Sequence, residues 1–216
     1  MTNLDSTLLG LPPGLNSPKD SIMRLINIFH PFSKQLEKCY HCEIGNNVKG
    51  FYILTRGSVD LCHNRSSWTI STIYAPYVLG LGIVLGSHWS GYLRLSKNAK
   101  INYVDSSLIP TCLFDETSPI WKDISTVLSF HLQYAGYRDS INGLRTAYPI
   151  IKLRLLEISG MPEEVRMNTT IINYITTRTS LSRSIIVRTL RELRKGNYIE
   201  MKNGVLLNIK HLPNAF

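Results

Sequence analysis

Apolar and polar positions change rhythm along this chain, and each rhythm predicts a different kind of element. Residues 21–30, SIMRLINIFH, put Ile22, Leu25, Ile26 and Phe29 at helical spacing and predict a short amphipathic helix. From about residue 36 to residue 104 the pattern shortens to β-branched and aromatic runs separated by turn residues. Residues 51–54 and 59–62 flank a turn at Gly57, and residues 68–74 alternate around Ile70 and Ile73. An apolar, glycine-rich run follows at 78–86. Residues 92–104 alternate again, with Leu93 and Leu95 on one face and Arg94 and Ser96 on the other. Many short strands with no helices between them predict a small antiparallel barrel or jelly roll.

Residues 118–141 return to a helical period, with two apolar stripes instead of one. Ile124, Leu128, His131 and Ala135 form the first; Val127, Phe130, Tyr134, Tyr137 and Ile141 form the second. Two stripes predict a helix held between its own barrel and a second copy of the chain in a parallel seam. One wide core face without a dimer is the alternative. A further helix is predicted over 149–158. Gly160, Met161, Pro162, Glu163 and Glu164 then read as a loop, and a domain boundary is expected within 139–143.

The C-terminal segment carries the sharpest pattern. A helix over 169–177 and a turn over 178–181 precede a second helix over 182–195. Ser182 is suited to cap that helix, because its hydroxyl can accept the unpaired N–H groups of the first turn. Ile186, Leu190 and Leu193 make one apolar face, and Gly196 is expected to end the helix by taking the left-handed conformation. Two β runs, 198–201 and 205–208, flank Lys202-Asn203-Gly204, a strong hairpin signal. This order is a helix-turn-helix followed by a β wing.

Charge sharpens that reading. Lys and Arg number 24 against 15 Asp and Glu, a formal net charge of +9. Residues 147–216 hold 11 basic and 5 acidic residues, and residues 178–195 hold six basic residues against Glu192 alone. A basic helix with an apolar back suits the major groove of DNA. Clustered charge of this kind favours a polyanionic partner over a merely solvated face. No run of 18 or more apolar residues suggests a membrane span, and residues 1–18 read as a flexible leader without a signal peptide's basic start and apolar run. A cytoplasmic location is expected, with Cys39, Cys42, Cys62 and Cys112 as reduced thiols.

A jelly roll, a long helix and a winged helix-turn-helix in this order resemble the CRP/FNR family of bacterial transcription regulators. The residues that carry the resemblance are Ser182-Arg183 with Arg188 five positions beyond Arg183, and Tyr52-Ile53-Leu54 followed by Gly57-Ser58-Val59. The segments 181–184 and 193–201 are similar to a divergent branch, the enterobacterial "inhibitor of hydrogen peroxide resistance" regulators. The resemblance implies an α+β fold. It would comprise a cyclic-nucleotide-binding-like β jelly roll over 19–116, a dimerisation helix over 117–141 and a winged helix-turn-helix over 142–216. The implied partners are double-stranded DNA and a second copy of the chain, with Ile124, Leu128, His131 and Ala135 as the dimer seam.

By the same resemblance Arg183, Ser184 and Arg188 are the base-contacting positions. Ser184 stands where the family commonly has Glu, so the family's usual operator is not implied. Thr169, Thr170, Ser182 and Lys202 are the expected phosphate contacts, which position the protein without reading sequence. The effector pocket departs further. The positions matching the family's ribose and phosphate contacts are Gly80-Leu81 and Trp89-Ser90. Leucine cannot accept sugar hydroxyls, and tryptophan lacks the charge that pairs a cyclic phosphate. These residues argue against cyclic AMP. Trp89, Tyr92 and the 80–86 run either line a pocket for another ligand or fill it themselves. A lone Cys39-x-x-Cys42 is a weak metal signal, so no metal or cofactor is expected; inert thiols and one peroxide-sensing thiol remain as readings. No nucleophile–base pair, phosphate loop or HExxH pattern points to an enzyme. The expectation is therefore a DNA-binding regulator that works without cyclic AMP and has a link to peroxide stress. The competing reading is an adaptor that uses barrel and winged helix for protein contacts and does not bind DNA.

Overall fold

A computed structural model describes residues 16–214, except 38–39, 45–47, 64–67, 87–90 and 144–145. The leader expected at 1–18 lies mostly outside the described residues, as do Cys39, Trp89 and Ser90. The chain divides into two compact units, Pro18–Leu132 and the residues from Gln133 onward.

The first unit begins with α1 (Lys19–Phe29), whose Ile22, Leu25, Ile26 and Phe29 are buried, as the i, i+3, i+4, i+7 spacing requires. The expected strands follow: β1 (Ser33–Gln35), β2 (His41–Ile44), β3 (Gly50–Arg56), β4 (Ser58–His63), β5 (Thr69–Tyr74), β6 (Tyr77–Leu79), β7 (Gly91–Leu95) and β8 (Lys100–Asp105). They form two antiparallel four-stranded sheets, ordered β1-β8-β3-β6 and β2-β7-β4-β5. Non-sequential neighbours in both sheets give the jelly-roll topology. Phe51, Ile53, Leu54, Val59, Leu93, Ile101 and Val104 supply the core. Phe29 docks α1 onto it, its ring meeting Phe51 edge-on at 4.8 Å.

The glycine-rich run does not continue as a strand. After β6 the backbone turns at Gly80, with φ +85°, into a single helical turn, α2 (Leu81–Val84). The long helix α3 (Ile120–Asn142) has its first turn tied to α1 by a two-pronged ion pair. Arg24 donates from Nη2 to Asp123 Oδ1 at 2.7 Å and from Nε to Oδ2 at 3.0 Å. The guanidinium holds the Asp123 carboxyl below its ordinary range.

On α3 the second apolar stripe is the buried one: Val127, Phe130 and Tyr134 are 0%, 4% and 8% exposed. The first stripe divides. Ile124 is 2% exposed within its own core. Leu128 is half-buried and Ala135 is exposed. The His131 ring is hydrogen-bonded at Nε2 to the Tyr77 hydroxyl at 2.7 Å. Ile124 and His131 are thus engaged inside the protomer. Among the described residues of the helix the large apolar side chain that stands exposed is Leu132, at 75%, which belongs to neither stripe. The side chain of Ile141 lies outside the described residues.

The second unit continues through α4 (Ala147–Ser159), α5 (Glu163–Met167), α6 (Ile171–Thr176), α7 (Arg183–Lys195), β9 (Ile199–Lys202) and β10 (Val205–Ile209). The loop expected at Glu163-Glu164 is instead the first turn of α5. Pro162, at φ −51° and ψ 141°, leads into it, and two acids at a helix N-terminus are favoured by the helix dipole. Arg166 fixes this helix by donating from Nη1 to Leu207 O at 2.6 Å.

Burial pushes His131 below its ordinary value of 6.5 and pushes the Tyr77 hydroxyl up. The phenol therefore stays protonated and the imidazole neutral, the ring's tautomer deciding which of the two donates. As pH falls past about 6.5 the unfolded chain takes up this proton before the folded one, so stability is full above that pH and declines below it. The thermal midpoint of the wild type is expected to fall more steeply between about pH 7 and pH 5.5 than that of His131→Gln. Parallel slopes in a melting series would contradict this assignment.

Candidate nucleic-acid interface

The residues expected to contact DNA converge on the second unit. α7 starts where expected: Ser182 sits outside the helix at φ −67°, ψ 146°, and its hydroxyl accepts from Ile185 N at 3.4 Å. Ile186, Leu190 and Leu193 are 0%, 3% and 0% exposed. They pack the helix onto the unit formed with α4 and α6. At 100° per residue, the face opposite that stripe carries Ser184, Arg188, Arg191 and Lys195, spaced i, i+4, i+7, i+11. All four are exposed. Arg183 and Arg194 flank this face, also exposed. Among the described residues Arg183, Arg188, Arg191 and Arg194 have no carboxylate partner. Lys195 reaches Glu192 at 3.4 Å, an exposed pair of little energetic weight. Arg191 and Lys195 thus join the candidate DNA-contacting residues. Their signal in the sequence is their helical spacing from Ser184 and Arg188.

The end of α7 departs from expectation. Gly196 keeps an ordinary φ of −73°, and Asn197 takes the left-handed conformation at φ 58°. Asparagine tolerates that region better than most residues. Gly196 is required for space: a Cβ there would lie 2.3 Å from Tyr198 Cε2.

The wing forms as predicted. Asn203 and Gly204 both have positive φ, 52° and 80°, the two-residue hairpin turn that matches strand twist. Val205 pairs with Lys202 across the hairpin. Thr170 makes a bridge to Val205, and Ile171 N donates to Gly204 O at 2.9 Å. The wing is therefore clamped to the start of α6, and the expected phosphate contacts Thr170 and Lys202 both pair with Val205, Lys202 exposed. Thr169 donates its hydroxyl to Val165 O at 2.7 Å, capping the end of α5. The Ser182 hydroxyl is shared with Ser184 Oγ at 3.0 Å.

Beside α7 lies a hollow of ≈ 420 Å³ between α6, α7 and β9, with Ile172, Val187, Leu190 and Met201 as its apolar wall and Arg191, Arg194 and Lys195 at its rim.

The effector positions are elsewhere, in the first unit. Leu81 is 4% exposed and packs into the barrel core, so it offers no polar group to a sugar. Cys42 and Cys62 are buried, and Cys112 is exposed. Among the described residues no three His, Cys, Asp or Glu side chains gather as a metal site. None of the described helices is long and apolar enough to cross a membrane.

Comparison with known proteins agrees with this geometry. Residues 147–214 match the family described as winged helix-turn-helix DNA binding. A Salmonella typhimurium protein named inhibitor of hydrogen peroxide resistance is 29% identical over 165 residues, covering 76% of this chain and 79% of its own. The c-di-GMP responsive global regulator CLP of Xanthomonas campestris superposes with a TM-score of 0.66 at 15% identity, over 87% of this chain and 99% of its own. A transcriptional regulator of the CRP/FNR family from Thermus thermophilus superposes with a TM-score of 0.59 at 17% identity, over 82% and 94% of the two chains. Residues 147–214 thus form a winged helix-turn-helix that matches a DNA-binding family, set in a chain that has the fold of the CRP/FNR transcription regulators.

Proposed function

We propose that this chain is a homodimeric transcription regulator of CRP/FNR type that reads double-stranded DNA through α7 and acts without cyclic AMP. One observation carries the reading. A helix capped at Ser182 and buried along Ile186, Leu190 and Leu193 turns a row of cations to solvent, next to a clamped wing. In such a unit the first turns of α7 enter the major groove, and Arg183 and Arg188 are suited to bidentate bonds to guanine O6 and N7. Ser184 contributes a less selective hydroxyl. Arg191, Lys195, Thr170 and Lys202 serve the phosphates, whereas the Thr169 hydroxyl already donates to Val165 O and would have to release that bond to donate to a phosphate, and the Ser182 hydroxyl is shared with Ile185 N and Ser184 Oγ. Independence from cyclic AMP is supported by Leu81, whose side chain fills the barrel where a polar contact to the ribose is needed.

Selection of bound duplexes from a randomised pool tests this reading. The wild type is expected to enrich a two-fold symmetric site, with affinity unchanged by cyclic AMP. Arg183→Ala and Arg188→Ala should each weaken binding to that site by about 1–3 kcal/mol while leaving binding to unrelated DNA nearly unchanged. Enrichment of no sequence, with capture of a protein partner instead, would favour the adaptor reading.

Dimerisation is proposed along the exposed side of α3. Leu128, Leu132 and Ala135 follow i, i+4, i+7 spacing, and Leu132 stands 75% exposed. This seam replaces Ile124 and His131, which are engaged inside the protomer, with Leu132. Sedimentation of the wild type should give a dimer, and Leu132→Glu should shift it to monomer and weaken binding to the symmetric site. A monomeric wild type, or a variant that still sediments as a dimer, would rule this seam out.

The proposed physiological role follows the name of the Salmonella typhimurium relative: a regulator in the response to hydrogen peroxide. A strain lacking this protein is expected to survive a peroxide challenge better than its parent, with survival restored to the parental level by the wild-type protein but not by Arg183→Ala. Equal survival of deletion and parent strains would remove the peroxide assignment and leave the DNA-binding one standing.

A further inference from the structure

The winged-helix unit contains a buried polar cluster that DNA reading does not itself explain. Arg154 and Glu157, one turn apart on α4, are 2% and 5% exposed. Arg154 donates from Nη1 to Glu157 Oε1 at 2.6 Å. Tyr134 on α3 donates to the same Oε1 at 3.3 Å, and Tyr174 on α6 donates to Oε2 at 3.1 Å. Both tyrosines are buried. Burial, and then the nearby Glu157 charge, raise the hydroxyl of Tyr137, which lies one turn beyond Tyr134. The chain of contacts continues outward. The Arg178 guanidinium lies 3.7 Å from the centroid of the Tyr174 ring and donates to Thr177 Oγ1 at 3.0 Å. Arg178 belongs to the turn that leads into Ser182, the cap of α7.

The cluster is a poor device for stability alone. Removing two charges from water costs about as much as their attraction returns, and apolar residues of the same volume often hold a core equally well. Arg154 also leaves its buried Nε without a hydrogen-bond partner among the described residues, a further cost. What the polar set supplies and apolar contacts do not is direction. One carboxylate accepts from phenols on two different helices, and hydrogen bonds weaken steeply once distance or angle is lost. Apolar side chains hold helices by packing, without that dependence on angle.

We propose that Glu157, held by Arg154, is a positioning residue for DNA reading: its carboxylate fixes α6 against the end of α3, and through Tyr174 and Arg178 it sets the entry of α7. The proposal rests on the DNA-reading function above. A small displacement of α7 leaves phosphate attraction intact, because that attraction is long-ranged and sequence-independent. It breaks the bidentate base contacts, which need close geometry. The signature is therefore lost discrimination with retained affinity for DNA in general.

The full-length chain tests this with three variants: Arg154→Met/Glu157→Leu, which replaces the pair by apolar residues, and the isosteric Tyr134→Phe and Tyr174→Phe. Each is compared with the wild type for thermal midpoint and for affinity to two probes. One is the duplex recovered by the wild type from the randomised pool, the other a scrambled duplex of equal length. Wild-type discrimination between the probes is the control. Without it the DNA-reading function fails, and the positioning role with it. With it, the double variant, which also leaves the Tyr134 and Tyr174 hydroxyls without their acceptor, should melt lower than the wild type, yet at a temperature where it is fully folded it should bind the scrambled duplex equally well and lose about tenfold or more in discrimination. Each tyrosine variant should lose about threefold, the share of one hydrogen bond. Should the double variant not fold, the tyrosine variants decide. Discrimination within twofold of the wild type in both, or a loss that only tracks a lowered midpoint, overturns the proposal.

Discussion

The cations of α7 can face outward only because the opposite side of the helix is held down. Ile186, Leu190 and Leu193 are almost wholly buried, and truncating such a side chain to alanine typically costs about 2–5 kcal/mol. That burial fixes the rotation of the helix about its own axis. Every other property of the surface follows from the rotation: Ser184, Arg188, Arg191 and Lys195 stand on the far side, and Arg183 and Arg194 flank them. A solvated charged helix has no such constraint. Here the core chooses which charges meet a partner, and the clamp between Gly204 and Ile171 places the wing beside them.

The first unit is built around an apolar interior. The two sheets close over an apolar interior, and α2 brings Leu81 into it. Half-buried His131 and buried Tyr77 form a polar pair at the last turn of the long helix that belongs to this unit. The Arg24–Asp123 pair anchors the start of that helix to α1, and the Tyr134–Glu157 bond holds its later turns within the second unit. The helix is thus fixed by polar contacts within each unit and presents Leu132 to solvent between them in sequence.

Most of this architecture is legible in the residues themselves, for reasons that can be named. α1 and α7 declare themselves through unbroken helical spacing and, in α7, a capping serine. The hairpin is set by Asn203-Gly204, since few other pairs accept two positive φ angles. Other features are not legible. Residues 78–86 are apolar throughout, and periodicity cannot distinguish a buried strand from a strand that turns at Gly80 into one helical turn. α5 is too short for periodicity, although Pro162 and two acids are a starting signal. The two stripes of α3 are equally apolar on paper, and only packing shows that Val127, Phe130 and Tyr134 claim the core together with Ile124. Asn197 takes the left-handed turn that the sequence suggests for Gly196, because a glycine needed for space and one needed for φ look alike in sequence. Nothing in the sequence marks Arg154 and Glu157 as a buried pair, and only the tertiary fold encloses them.

Hydroxyl-radical footprinting of the protein on its selected duplex measures the central claim most directly. Two copies of α7 related by a two-fold axis should protect two patches on one face of the duplex, about one helical turn or ~34 Å apart, with dyad symmetry about the centre. Raising the salt should weaken both patches together. A single unsymmetrical patch, or protection spread evenly along the duplex, would contradict the account.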